Sequence, residues 1–194
     1  MARPREHDAT TAEAMVDAAG RLLQTEGVKA LSVRRVAEEV DVSTQAVYSL
    51  FGGKAGLVRA LHRTGFARLA AELDAVDTAD PVGRVRDLGL AYHRTARANP
   101  HLYDVMFDCP VPEFVPTDED AAASLATLEV LRDAVAAAIE AGALVGEVDD
   151  VTMVMWATVH GVSSLDLAGA LGSSEEADRR VRLALNASLD GLAT

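Results

Sequence analysis

The stretch LSVRRVAEEVDVSTQAVYSLFGGKAGL, Leu31 to Leu57, holds two short helical patterns separated by only two residues. Ser32 is a good N-cap, and Val33, Val36, Ala37 and Val40 form an apolar stripe behind it. Leu31 just before the cap and Val36 one turn inside make a hydrophobic staple. Ser43 opens the next pattern, where Val42 and Val47 repeat the staple. Only Asp41 and Val42 lie between. A connection that short forces the two helices into a steep crossing, as in a helix-turn-helix.

At 100° per residue, Thr44, Gln45, Tyr48 and Ser49 share one arc of the second helix, and Ala46, Val47, Leu50 and Phe51 share the opposite arc. The outer arc carries hydrogen-bonding groups without charge. Gln can bond an adenine edge at two places, Thr can offer a methyl to thymine, and Tyr48 can reach a phosphate oxygen. Arg34 and Arg35 sit where the first of the two helices would cross a DNA backbone. Lys54 opens the following helix, where its charge and the helix dipole both favour phosphate. With the helix-starting Ser32 and Ser43, these nine side chains are the candidate DNA-contacting set. The plainer reading of the same arc is an ordinary solvated face.

Residues 10–60 as a whole resemble the TetR-type DNA-binding domain. The resemblance is carried by the capped helix with Val36-Ala37, the Val42-Ser43 turn, Tyr48 three residues before Phe51, and Lys54 three residues after it. It implies DNA contacts for Arg34, Thr44, Gln45, Tyr48 and Ser49 and a phosphate contact for Lys54. Asp41 stands where the family usually has glycine; Asp tolerates the left-handed region, so the turn is expected to survive. Leu50 replaces a commoner aromatic or His, which removes one expected backbone contact.

Outward from this motif the chain reads as all-α, with about nine helices and no strand-like alternation of useful length. A first helix is expected from a Thr10/Glu13 capping box, with Met15, Ala19 and Leu22 on one face and Gly27 as its stop. Further helices are expected from Lys54 to about Val76, after Asp80-Pro81, after Asn99-Pro100, from Thr117 to near Gly142, after Asp149/Asp150, and after a Ser173/Glu176 capping box. Cys109 to Pro116 carries three prolines and reads as a loop. The expected division is a three-helix DNA-binding domain over 1–53 and a helical ligand-binding and dimerisation domain over 54–194, linked by the helix from 54.

The charge is uneven in the same sense. Residues 1–66 hold nine Lys and Arg against eight Asp and Glu, whereas residues 67–194 hold nine against 22. The acidic part is kept off phosphate while local basic groups at the other end still engage it. One cysteine, Cys109, excludes an internal disulfide and any multi-cysteine metal site. With no apolar core of a signal peptide at the N-terminus, a cytoplasmic location is expected. The apolar run Val151 to Leu171 approaches membrane-span length. It includes His160, Ser163, Ser164 and Asp166, which are costly in lipid, so a buried helix is expected and no membrane partner.

In the C-terminal part, Trp156, His160 and Gly161 within VMWATVHGVSSL, together with NPHLYDVMF from Asn99, resemble the TetR C-terminal class named for its Trp-His-Gly signature. That class does not imply a particular ligand. Tyr92, Tyr103, Met106, Phe107, Met155, Trp156, Val159 and His160 are candidates to line a mixed apolar effector pocket. Plain core residues, with a structural histidine among them, are the alternative. Ala157, Gly161, Ser164 and Ala168 form a small-residue stripe. Together with Val181, Leu185 and Leu189 it is expected to build a self-complementary two-fold interface, with packing inside one chain as the alternative.

Catalytic signals are weak. His101, Asp104 and Asp108 could touch one metal with Cys109 nearby, but there is no Glu-x-x-His pair, no phosphate-binding glycine loop and no serine elbow. No cofactor or metal is expected. The reading is a homodimeric transcriptional regulator, a repressor released from a pseudo-palindromic double-stranded DNA operator by a small-molecule effector. Its rivals are a helical carrier, a metal-dependent enzyme and an activator.

Overall fold

Each helix start in the helix-turn-helix is marked by a serine whose side chain satisfies one of its orphan N–H donors. The structure, a computed structural model, describes residues 5–107 and 114–193. Among these it contains nine α-helices: α1 (Arg5–Glu26), α2 (Val33–Glu39), α3 (Thr44–Phe51), α4 (Lys54–Asp74), α5 (Pro81–Ala98), α6 (Pro100–Phe107), α7 (Asp118–Glu140), α8 (Val148–Leu167) and α9 (Ser174–Gly191). A short 3-10 turn, Val28–Ala30, follows α1. The expected loop residues Cys109 to Glu113, and Asp108 of the possible metal set, lie outside the described residues.

Two helix starts differ from expectation. α1 begins at Arg5, so Thr10 lies inside the helix rather than capping it; no glycine or proline between Arg5 and Thr10 interrupts it. α8 begins at Val148, which places Asp149 and Asp150 in its first turn instead of before it. Carboxylates are stabilised there by the positive end of the helix dipole.

By contacts the described residues divide into two compact units, one within 5–66 with 99–107 and 114–121, the other within 67–98 with 122–193. α6 packs on α1 and α4 contributes to the first core, so the first unit takes in residues on both sides of residue 53. That core is built from Met15, Ala19 and Leu22 of α1, Leu31, Val36 and Val47 of the helix-turn-helix, Leu57 and Leu61 of α4, and Leu102 and Val105 of α6. Each large apolar side chain so buried contributes roughly 1.5–3 kcal/mol. Where α3 meets α4, a side chain on Gly56 would collide with the Phe51 carbonyl oxygen. Only glycine fits that approach.

A charged cluster closes the same unit. Arg59 and Arg63, one turn apart on α4, both donate to the Asp120 carboxylate at 2.9 and 2.7 Å. The Asp120 side chain is wholly buried. The backbone N–H and the hydroxyl of Thr117 also donate to it, each at 2.9 Å. Burial by itself pushes this carboxyl up, but the Thr117 N–H and the two guanidinium groups hold it well below the usual carboxylate range.

The second unit packs α5, α8 and α9 around Val85, Leu88, Met155, Val159, Val181 and Leu185. Asp80 caps α5, its carboxylate accepting from the Gly83 N–H at 2.6 Å. Ser173 and Glu176 form the reciprocal capping box at the start of α9. The end of α9 is pinned by the Val145 N–H, which donates to the Leu192 carbonyl at 2.8 Å.

Candidate DNA-binding interface

The geometry of the interface follows from three backbone devices. Ser32 Oγ accepts from the Arg35 N–H and Ser43 Oγ from the Ala46 N–H, each at 3.2 Å, so both helices start where their caps require. Between them Asp41 adopts φ +54°, the left-handed turn expected of it. Gly52 ends α3 in the same region, at φ +71°.

These devices set the two arcs of α3. Val47 is fully buried, whereas Thr44, Gln45, Tyr48 and Ser49 are exposed. Tyr48 has 54% of its surface free, but its ring lies against Gly53, where a Cβ would come within 3.3 Å of Cε1. The phenol is thereby aimed while its hydroxyl stays accessible. Lys54 is the first residue of α4 and is half-buried.

The two arginines of α2 differ. Arg34 is highly exposed and pairs with Glu38 one turn on, at 2.8 Å. An exposed pair of this kind is weak and exchanges readily for phosphate. Arg35 makes a two-pronged pair with Glu26 of α1, at 2.8 and 2.7 Å. Its guanidinium therefore ties α1 to α2. The Ser32 and Ser43 hydroxyls likewise serve as caps.

Among the effector candidates the structure brings together those of the second unit. Tyr92 Oη lies 2.9 Å from His160 Nδ1, and the Trp156 ring stacks on His160 at 5.2 Å between centroids. Met155 and Val159 are buried beside them in sequence on α8. Tyr103, Met106 and Phe107 belong to the first unit. There the Tyr103 and Phe107 rings meet at 4.9 Å, and Phe107 meets Phe66 edge-on.

A buried polar group that sequence reasoning missed is His93 on α5. Its Nδ1 lies 3.2 Å from Ser163 Oγ, and its Nε2 lies 3.4 Å from Asp166 Oδ2, which also pairs with Arg97 at 2.9 Å. Ser163 is fully buried, so this serine cannot meet a substrate. Burial pushes the His93 imidazole below its ordinary range, with Asp166 and Asp178 opposing and Arg97 and Arg94 assisting. The folded chain therefore refuses a proton that the unfolded chain accepts. Stability is complete above roughly pH 6.5, the ordinary histidine value, and falls as the pH drops below it. Denaturant midpoints at pH 7.5 and 5.5 are expected to differ less in His93→Gln than in the parent. His62, buried between Phe66 and Phe114, is shifted in the same direction and supplies the remainder.

Residues 15–61 match the family model of bacterial regulatory proteins of the tetR family, and residues 85–188 match that of the tetracyclin repressor-like C-terminal domain. The chain belongs to the TetR family. No curated protein matches the sequence. Among solved structures, this TetR-family chain resembles a protein of unknown function from Rhodococcus sp. RHA1, with 27% identity and a TM-score of 0.84 over 99% of this chain and 100% of that one. The TetR family transcriptional regulator PfmR from Thermus thermophilus matches at 21% identity and 0.74, over 93% and 99%. A TetR family regulator from Marinobacter aquaeolei VT8 matches at 19% and 0.71, over 97% and 98%. The last two speak for the fold alone. Family membership makes the chain a DNA-binding transcription regulator and not an enzyme. The narrower Trp-His-Gly class remains a resemblance carried by Trp156, His160 and Gly161.

For the TetR-family chain's second unit, one expectation is corrected. Val181, Leu185 and Leu189 are buried within the chain itself, against α5 and α8, and present no surface to a second copy. The i, i+4 stripe of α9 marks a buried face without saying what buries it. The small-residue stripe of α8 behaves differently: Ala157 and Ala168 are exposed, and Gly161 and Ser164 are half-buried. Met153, Val154 and Leu165 are each close to half exposed. At 100° per residue these seven positions fall within about 120° of arc. Among the described residues no helix is long and apolar enough to cross a membrane, and no three metal-ligating side chains gather.

Proposed function

We propose that the chain is a ligand-responsive repressor, acting as a homodimer whose two α3 helices enter successive major grooves of a pseudo-palindromic operator. Residues 1–53 read the DNA, and residues 54–194 bind the effector and the second copy. The observation that carries this reading is the uncharged hydrogen-bonding arc of α3, exposed above the buried Val47 and fixed by a cap at each end. Half-sites one helical turn apart are separated by roughly 34–36 Å. The effector, seated among Tyr92, Met155, Trp156, Val159 and His160, releases the operator only if it binds one of two dimer arrangements more tightly.

Selection from a random duplex library, followed by titration of the best site at two salt concentrations, tests this. The expected result is an enriched inverted repeat bound by one dimer, with affinity falling as salt rises. No enriched motif, from protein refolded free of bound ligand, refutes it. The dimer contact has its own test. Ala157→Arg puts a charge in the middle of the exposed apolar arc of α8 and is expected to shift the protein to monomer in sedimentation velocity, leaving its helix content intact. An unchanged dimer places the interface elsewhere.

A further inference from the structure

A cleft of about 160 Å³ opens between α5 and α9 in the second unit. Its apolar lining is the half-buried Leu90 of α5 and the fully buried Val181 of α9. Its polar side is unusual for this part of the chain. Residues 67–194 hold only nine basic side chains against 22 acidic ones. Three of the nine, Arg94, Arg97 and Arg182, line this single cleft, with Asp178 as its one carboxylate. Asp178 is already engaged by Arg97 at 2.6 Å. Arg94 and Arg182 are exposed, and among the described residues neither has an ion-pair partner.

His93 is the buried polar residue of the cleft. It lines the same cleft and is only 4% exposed, its Nδ1 held by Ser163 Oγ at 3.2 Å and its Nε2 facing Asp166 Oδ2 at 3.4 Å. The Arg94 and Arg182 side chains, without ion-pair partners among the described residues, give the cleft two guanidinium donors of the kind that bind an oxyanion. The volume is well under the roughly 300–1,000 Å³ of sites for drug-sized ligands.

We propose that the α5–α9 cleft is a binding site for a small oxyanion, a carboxylate or a phosphate, held by Arg94 and Arg182. This goes beyond the regulatory reading above, because the cleft shares no residue with the Tyr92, Trp156 and His160 group, and anion binding is read without DNA.

The test titrates sodium succinate and sodium phosphate separately into the full-length protein at constant ionic strength, with sodium chloride as the control. Binding is followed by calorimetry in the parent, Arg94→Gln, Arg182→Gln and the double variant. Both arginines are exposed, so circular dichroism is expected to show all four chains equally folded. Saturation by at least one anion at one per chain, weakened at least tenfold in each single variant and abolished in the double, supports the site. Preference for succinate assigns a carboxylate ligand and preference for phosphate a phosphate one. Failure of both anions to saturate beyond chloride in the parent overturns the proposal, as does undiminished binding by the double variant.

Discussion

Gln45→Ala is expected to weaken operator binding at least about 30-fold while leaving the fold and the salt dependence of binding unchanged. A bidentate contact to a base edge is worth roughly 1–3 kcal/mol, and a two-fold dimer loses it in both half-sites. Gln45 is exposed on α3 and takes no part in the first core, so thermal stability is not expected to move. Lys54→Ala provides the contrast. It removes a charge near phosphate, so it is expected to weaken binding to every sequence alike and to flatten the salt slope by about 0.9 per lost contact. Tyr48→Phe separates the hydroxyl from the ring: packing against Gly53 survives, and only the polar contact is lost. The measurement is fluorescence anisotropy on the selected operator and on a scrambled duplex. Equal affinities for Gln45→Ala and the parent on the operator would remove the base-reading role from this arc.

Asp120→Ala is expected to be the most destabilising single change to a charged residue in the described chain. Removing one partner of a buried ion pair costs roughly 3–5 kcal/mol where the remaining charge is trapped. Here the remaining charges are Arg59 and Arg63, whose side chains are 32% and 46% exposed and can turn to water. A loss of about 2–3 kcal/mol is therefore expected, or roughly 5–10 °C in melting temperature. Asp120→Asn keeps the shape and loses the charge; if the charge is what matters, it recovers little. The same carboxyl gives a pH signature. Because it is held below its ordinary range, its stabilisation is complete above roughly pH 4 and is lost as the pH falls through that value toward the lowered one. The parent is expected to lose stability over that window more steeply than Asp120→Asn. As a surface control, Asp149→Ala breaks an exposed pair with Arg132 and removes one charge from the first turn of α8, and is expected to cost less than about 1 kcal/mol.

What could be read from the sequence was mostly local. The caps at Ser32, Ser43 and Ser173, the stop at Gly27 and the left-handed Asp41 each depend on a few adjacent side chains, and each is in place. The two arcs of α3 follow from helical period alone. Long-range pairing left no such trace. Asp120 meets Arg59 across 61 positions, and His93 meets Ser163 across 70. Nothing in the spacing of either residue signals its partner. Arg35 suits a phosphate by its place in α2, and it also pairs with Glu26 nine positions away, a partner that its spacing does not signal. Val181, Leu185 and Leu189 show the same limit at a larger scale, since a stripe reports burial and not the identity of the covering surface. The effector candidates share it: Tyr103 and Phe107 match Trp156 in chemical type but belong to another compact unit.

The way α3 is anchored bears on how such a chain changes its address over evolutionary time. Everything that holds the helix lies off its outer arc: the Ser43 hydroxyl at one end, the left-handed Gly52 at the other, and Val47 in the core. Thr44, Gln45 and Ser49 are spectators of folding. Where those three positions read the operator as proposed, a lineage can rewrite them one at a time, passing through proteins that all fold, while the target site drifts beneath them. Tyr48 is the exception, tied by its ring to Gly53, and is the letter of the address expected to change most slowly. The same separation makes this helix a practical place to graft a new operator preference in a synthetic circuit.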